Sequence, residues 1–343
     1  MTQPLVVKFG GDALATPERI ARAARRIAAR RHAAPVVAVA SARRGVTDHL
    51  LGLVEQVRAA AGAADSSNPL VSAASDRAAA SGEVVAASLL AVALGELGIA
   101  ARVLDAREAG LRSDGQAGAA VLTGIRPTRI RRLLARGITP VVTGFQGWHR
   151  GRLTTLGRGG SDVTAVALAA ALDAHACELV KEPGALHTAD PRQIAEARPL
   201  ARASHRFVTE LALAGATVIH HLAAAQAEQD GVRLRFASLQ DGGQPATEVE
   251  GAPFGARAVV LRPDREHGLA MVTLVKEAGD GTDHALAAFV ASEVAVREII
   301  HRPCAVSFIV PAADGGRLLR ALHETIRVGP AVLDPSERMY ACH

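Results

Sequence analysis

The sequence is poor in several of the residues that binding and redox proteins depend on. Aromatic side chains make up 3 % of its 343 residues, so there is little on which nucleic-acid bases could stack. The formal charge of +5 comes mainly from arginines spread through stretches such as "RIARAARRIAARR", not from one basic tail. That distribution reads as a solvated helix face and disfavours a nucleic-acid partner. Cys177, Cys304 and Cys342 are odd in number, far apart and without CxxC spacing, which points away from a disulfide framework and from a zinc site. The thirteen histidines form no HExxH pattern, and the adjacent His220 and His221 read as structural, so no metal-ligand set is legible. No run of about eighteen uncharged apolar residues occurs. The N-terminus "MTQPLVVKFGG" lacks the basic stretch and apolar core of a signal peptide, and the expectation is a soluble, cytoplasmic protein with no membrane partner.

What is present is a globular composition, 49 % hydrophobic, in a chain long enough for two domains. Short runs rich in Val and Ile alternate with helical stretches, the pattern of an α/β domain with a largely parallel sheet. The strand candidates are "LVVKF" at Leu5, "PVVAVA" at Pro35, "ARVLDA" at Ala101, "TPVVTGF" at Thr139, "CELV" at Cys177 and "VRLRFA" at Val232. After the entry signal Pro17, the residues Ile20, Ala24 and Ile27 recur at the spacing of one buried helix face. A later helix, "SGEVVAASLLAVALGELG", ends on Gly98. The Ala/Ser-rich stretch from Ala59 to Ala80 reads as a frayed helix and loop. Beyond a Gly/Pro-rich linker, "GLAMVTLV", "HALAAFVASEVAVREII", "CAVSFIVP" and "GGRLLRALHETI" read as strand, helix, strand and helix of a small α+β domain.

Two glycine turns carry the chemical signal. In "KFGGDA", Lys8 ends a strand and Gly10 and Gly11 follow, which brings backbone N–H groups and an ammonium to one mouth. In "TTLGRGGSD", the glycines around Arg158 lead into an apolar helix with Ser161 or Asp162 as its N-cap, an anion site by backbone N–H groups and dipole. Two such loops at the strand ends of one sheet converge on a single crevice.

The segments "KFGG", "SARRGVTDHL", "SGEVVAASLLAVAL", "VTGFQG", "TTLGRGGSDVTAVALAAAL", "HTADPR" and "ELALAGATVIHH" resemble, in order and spacing, those of the aspartokinases, of the amino acid kinase superfamily. The resemblance covers about the first 245 residues. It implies a three-layer sandwich with a mostly parallel central sheet over 1–245, a linker at 246–258 and one regulatory ACT-like domain at 259–343, where the family carries two. It further implies transfer of the γ-phosphoryl group of ATP, carried with Mg2+, to the side-chain carboxylate of L-aspartate or a close analogue. By the same resemblance Lys8 neutralises the transferring phosphate and Asp162 organises that lysine and the metal-phosphate region. Arg158 binds the substrate carboxylate and Glu83 its ammonium, while Ser41, Thr47 and Ser161 line the pocket. Gly10, Gly11, Gly160, Lys181, Glu182 and Arg192 fall at nucleotide positions, and a single ACT-like unit implies a homodimer paired through it.

The nucleotide side departs from the family pattern. Lys181 and Glu182 occupy the places of a Thr-Asp pair, Gly184 and Ala185 those of an Asp-Gly, and His187 that of a tyrosine. Thr217 replaces a lysine, and Asp12 and Ala13 replace Thr-Ser, so a carboxylate stands beside a phosphate loop. Three functions are compatible with this pattern: a kinase with a remodelled nucleotide site, an impaired homologue that binds the amino acid as a sensor or partner subunit, and a transferase using a different donor.

Overall fold

The computed structural model describes residues 2–62, 68–182, 184–240, 246–277 and 283–328. The chain divides into two compact units, Met1–Gly184 with Leu222–Glu248, and Ala185–His221 with Val249–His343. The first part of the chain runs β1 (Leu5–Phe9), α1 (Pro17–Arg31), β2 (Val36–Ala40), α2 (Val46–Ala60), α3 (Pro69–Glu96) and β3 (Ala101–Leu104). It continues through α4 (Ala106–Ala109), β4 (Leu111–Ser113), β5 (Leu122–Ile125), α5 (Thr128–Ala135), β6 (Thr139–Thr143), β7 (Gln146–His149) and β8 (Arg152–Thr155). Then come α6 (Gly160–Leu172), β9 (Ala176–Val180), β10 (Arg202–Ser204), α7 (His205–Leu213), α8 (His221–Asp230), β11 (Leu234–Ala237) and β12 (Thr247–Glu250). The C-terminal part is β13 (Arg257–Asp264), β14 (Leu269–Lys276), α9 (Asp283–Ala291), β15 (Glu298–Arg302), β16 (Ala305–Pro311) and α10 (Gly315–Val328).

All six expected strands pair in parallel in the order β11-β9-β1-β2-β6-β3. Valine-rich β1 and β2 are buried along their whole length, as strands covered on both faces must be. Helix α1 packs Ile20, Ala24 and Ile27 inward behind a Thr16 cap and Pro17. A second sheet, β5-β4-β7-β8, is not legible in sequence, because strands of three or four residues are too short to show alternation.

Helix α3 corrects the expectation for residues 59–80. Asn68 caps the backbone N–H of Leu70 at 2.9 Å, Pro69 opens the helix, and the alanines that follow are good helix formers. The stretch from Pro69 is therefore helical up to Glu96, with Gly98 at φ 72° just beyond the end. By length and composition α3 is apolar enough to cross a membrane. It serves instead as a core helix, with Ala86, Ala87, Leu90 and Leu94 inside the apolar cluster and the carboxylates of Asp76 and Glu83 buried.

In the second unit the strands form an antiparallel sheet, β13-β14-β16-β15. Its core joins Val259, Val272, Phe308, Leu318 and Leu322. The division differs from the expected boundaries, because residues 185–221 pack with the C-terminal part: Ala189 and Ile194 lie in this same cluster, and Val259 N–H donates to Thr188 O at 2.8 Å. The expected linker at 246–258 holds β12 and the start of β13. The run "HALAAFVASEVAVREII" is not one helix; α9 stops at Ala291, and Ile299, β-branched, pairs with Phe308 in β15. Cys177 and Cys304 are buried free thiols. The tail "GPAVLDPSERMYACH" lies outside the described residues.

Candidate active site

Parallel strands end on one side of a sheet, so the loops after β1, β2 and β9 open towards the same region. Lys8, the penultimate residue of β1, is buried, and its Nζ stands 2.6 Å from Asp162 Oδ1. The chain then turns through Gly10, whose N–H donates to Val180 O at 3.2 Å at the end of β9. At Gly11 a Cβ would lie 2.8 Å from Ala42 O and 3.1 Å from Arg44 N, so only glycine lets the loops after β1 and β2 touch.

The glycine run ahead of α6 differs from its expected cap. Gly157 and Gly159 take positive φ, and Gly159, not Ser161 or Asp162, is the N-cap, with no side-chain cap bond. Asp162 instead sits in the first turn, where the helix dipole favours a carboxylate, and turns to Lys8. Ser161 packs at Gly144, where a Cβ would come within 2.6 Å of its hydroxyl. Phe145 is held at φ 68°, a conformation that costs on the order of 1–2 kcal/mol outside glycine, and flanks Gly160. Sequence reading missed Phe145, and "VTGF" carries no sign that the phenylalanine and not the glycine takes the positive φ.

One cavity of about 620 Å³ is lined by Lys8, Gly11, Ser41, Thr47, Glu83, Arg158, Gly160, Ser161 and Asp162, together with Phe145 and Asp76. Glu83 is 3 % exposed; Oε1 accepts the Ala42 N–H at 3.0 Å, and Oε2 has no hydrogen-bond partner among the described residues. Burial pushes its pKa up to about 7, against the opposing pull of the Ala42 N–H and Lys8. The Ser41 hydroxyl is likewise buried and without a hydrogen-bond partner among the described residues. Arg158 points its guanidinium into solvent, 90 % exposed, with Asp48 at 3.9 Å. Trp148, by contrast, does not line the cavity; Arg107 lies over its ring at 5.6 Å.

Lys181 follows β9, its N–H bonded to Ala237 O at 3.0 Å. Burial lowers its pKa to about 8, Asp162 opposes that shift, and Lys8 reinforces it, so the two ammonium groups and one carboxylate form a single electrostatic cluster. The sequence contains only three lysines, Lys8, Lys181 and Lys276, and the first two feel each other's charge here, although Lys181 does not line the cavity. Glu182 is not brought to the cavity. Its carboxylate accepts from the Ser238 hydroxyl at 2.9 Å and the Leu239 N–H at 3.1 Å, tying two loops together. Arg192 belongs to the second unit and chelates Asp190 at the surface. Asp12 pairs with Arg44 at 3.2 Å, which offsets the carboxylate beside the Gly11 loop.

The sequence model of the amino acid kinase family matches residues 3–238. Among curated proteins, an aspartokinase of Thermus thermophilus is 37 % identical over 237 residues, 68 % of this chain and 56 % of that protein. The aspartokinase of Bacillus sp. strain MGA3 is 39 % identical over 239 residues, 69 % of this chain and again 56 % of the relative. The chain thus aligns with little more than half the length of these relatives. Among solved structures, E. coli aspartokinase III in complex with aspartate and ADP superposes with a TM-score of 0.80 at 19 % identity, over 95 % of this chain and 100 % of that one. Family match, relatives and fold agree with one another: the chain belongs to the amino acid kinase family, and within it is similar to the aspartokinases.

Proposed function

We infer that the protein transfers the γ-phosphoryl group of ATP to the side-chain carboxylate of L-aspartate. The observation that carries this reading is the buried Lys8–Asp162 ion pair, in the same cavity as two unsatisfied acceptors, Ser41 Oγ and Glu83 Oε2. A buried acceptor without a donor is costly, and an amino-acid ammonium supplies donors to both. Arg158 offers a planar fork for the α-carboxylate, and Thr47 and Ser161 add hydroxyls.

With the head group held in this way, a side-chain carboxylate oxygen attacks the γ-phosphorus. The new O–P bond forms as the bond to the β-phosphate oxygen breaks, giving an acyl phosphate and ADP. Such a transfer depends on positioning and charge neutralisation. Lys8 and Lys181 neutralise the phosphate end, and Gly11, which lines the cavity, offers its backbone there, whereas the Gly10 N–H is already given to Val180 O. The residues fit a phosphate chain, since the buried Lys8 ammonium and Gly11 line one cavity with the first turn of α6. Among the described residues no group of three or more His, Cys, Asp or Glu is placed to hold a metal, so Mg2+ would arrive on the nucleotide, with Asp162 as the carboxylate at that end. When bound it would draw charge from the phosphate oxygens.

The described residues of the second unit from 259 to 328 support an ACT-like reading of the C-terminal part. Its β14-α9-β15-β16-α10 order completes a four-stranded sheet with β13 beside β14. Pairing of this unit with that of a second copy belongs to the same proposal. A hydroxamate assay with L-aspartate, ATP and Mg2+ tests the main reading, because hydroxylamine traps the acyl phosphate. Product is expected; none with any nucleotide, alongside retained aspartate binding, would leave the amino-acid sensor in its place.

A further inference from the structure

We propose that Asp76 is a positioning residue that fixes the distance between the two halves of the amino-acid site. The proposal rests on the reading of Glu83 and Arg158 as the groups that hold the substrate head.

Asp76 lies on α3 seven residues before Glu83, two helical turns away, about 10 Å along the axis. Both are 3 % exposed, both line the cavity, and each uses one oxygen to hold a wall of it. Glu83 holds the loop after β2 through the Ala42 N–H. Asp76 holds the opposite wall: its Oδ1 accepts from the Thr155 hydroxyl at 2.6 Å and from the Gly118 N–H at 2.9 Å. Thr155 ends β8, three residues before Arg158, and its carbonyl accepts the Ala120 N–H at 2.8 Å. Gly118 in turn backs onto the glycine run, since a Cβ at Gly157 would lie 3.2 Å from Gly118 O.

The 118–120 segment and the lead-in to Arg158 are therefore one assembly, and Asp76 fastens its outer end to the helix carrying Glu83, as Gln146, the register partner of Thr155, fastens β7 through its Nε2 bond to Ala80 O at 3.1 Å. Without that fastening, Arg158, which among the described residues has only the 3.9 Å approach to Asp48, is set less firmly relative to Glu83. Burial raises the pKa of Asp76 from its ordinary value, against the pull of these hydrogen bonds. Both bonds go to one oxygen, so an amide of the same shape, whose oxygen accepts the same two donors, should replace it.

The test uses the full chain with Asp76→Ala, Asp76→Asn and Thr155→Val. Asp76→Ala is expected to raise the aspartate KM and the calorimetric aspartate Kd at least tenfold, with the ATP KM within twofold. Thr155→Val, which removes one of the two donors and is the milder change to folding, should raise them about threefold. Asp76→Asn should restore wild-type values within threefold. Hydrogen exchange of residues 115–119 and 155–160, measured without ligand, should quicken in Asp76→Ala and not in Asp76→Asn. A folded Asp76→Ala protein with unchanged exchange and an aspartate Kd within twofold of wild type overturns the proposal, as does an Asp76→Asn protein as damaged as Asp76→Ala. If the wild type binds no aspartate while exchange responds as described, the functional reading falls and the fastening stands.

Discussion

Glu83 offers the sharpest test of the site, because its environment makes opposite demands on stability and on binding. Burial raises its carboxyl from 4.5 to about 7, which corresponds to roughly 3 kcal/mol as an upper figure. For an acid raised in the folded state, the folded protein binds the proton more tightly than the unfolded chain does. The stabilising effect of the protonated form is complete below pH 4.5 and is lost as pH rises through 7. Glu83→Gln removes this titration while its amide oxygen can still accept the Ala42 N–H.

The variant should therefore match wild type in stability near pH 4 and exceed it by up to about 3 kcal/mol at pH 8, read by urea denaturation at both values. Binding runs the other way. An ammonium is held by the ionised carboxylate, so the wild-type aspartate KM should rise about tenfold per pH unit below 7, and Glu83→Gln should bind weakly at every pH. A stability difference that does not change between pH 4 and 8, or an aspartate KM flat from pH 5 to 8, would refute the argument.

Three further outcomes follow from the same geometry. Lys8→Met should lower kcat by roughly 10²–10³ with aspartate affinity retained within about threefold, since it removes a cation aimed at the phosphate; steady-state turnover and isothermal titration read the two separately. Lys181 loses its proton near pH 8, so kcat/KM should fall above that pH, and Lys181→Arg, which stays charged, should abolish this alkaline limb. Gly11→Ala places a methyl 2.8 Å from Ala42 O and should cost about 1–3 kcal/mol in thermal stability while raising the ATP KM.

The parallel sheet is legible in the sequence because its strands are valine-rich runs bounded by helices, and burial on both faces demands that composition. The site is legible in part for a related reason: Lys8, Gly11 and the "GRGGSD" run are local signals whose meeting follows from strand ends sharing one edge. What stays hidden depends on long-range partners. Nothing near Asp76 in sequence announces Thr155 and Gly118, 79 and 42 residues away. Nor does "KEPG" announce that Glu182 finds Ser238, 56 residues on. The Ala/Ser stretch before Ala80 misleads because its low complexity hides an Asn-Pro helix start and a good helix-forming composition.

The departures from the aspartokinase pattern look, on sequence alone, like damage to the nucleotide site, yet each added charge has a partner in the fold. Asp12, a carboxylate next to the glycine turn, lies 3.2 Å from Arg44, while Arg19 donates to its main-chain carbonyl at 2.7 Å. Glu182 has its carboxylate occupied by Ser238 and Leu239. Lys181 remains in the field of Asp162 and of Lys8, two ammonium groups around that carboxylate at the end where the proposed function puts the phosphates. A polyanion entering there would favour the charged form of Lys181, and its pKa would rise on binding. Nucleotide binding measured between pH 8 and 9 should then take up protons from buffer, detectable as a dependence of calorimetric heat on the buffer's ionisation enthalpy. Heats that do not vary with buffer would mean that Lys181 does not face the phosphates, and the remodelled strand end would have to be explained without it.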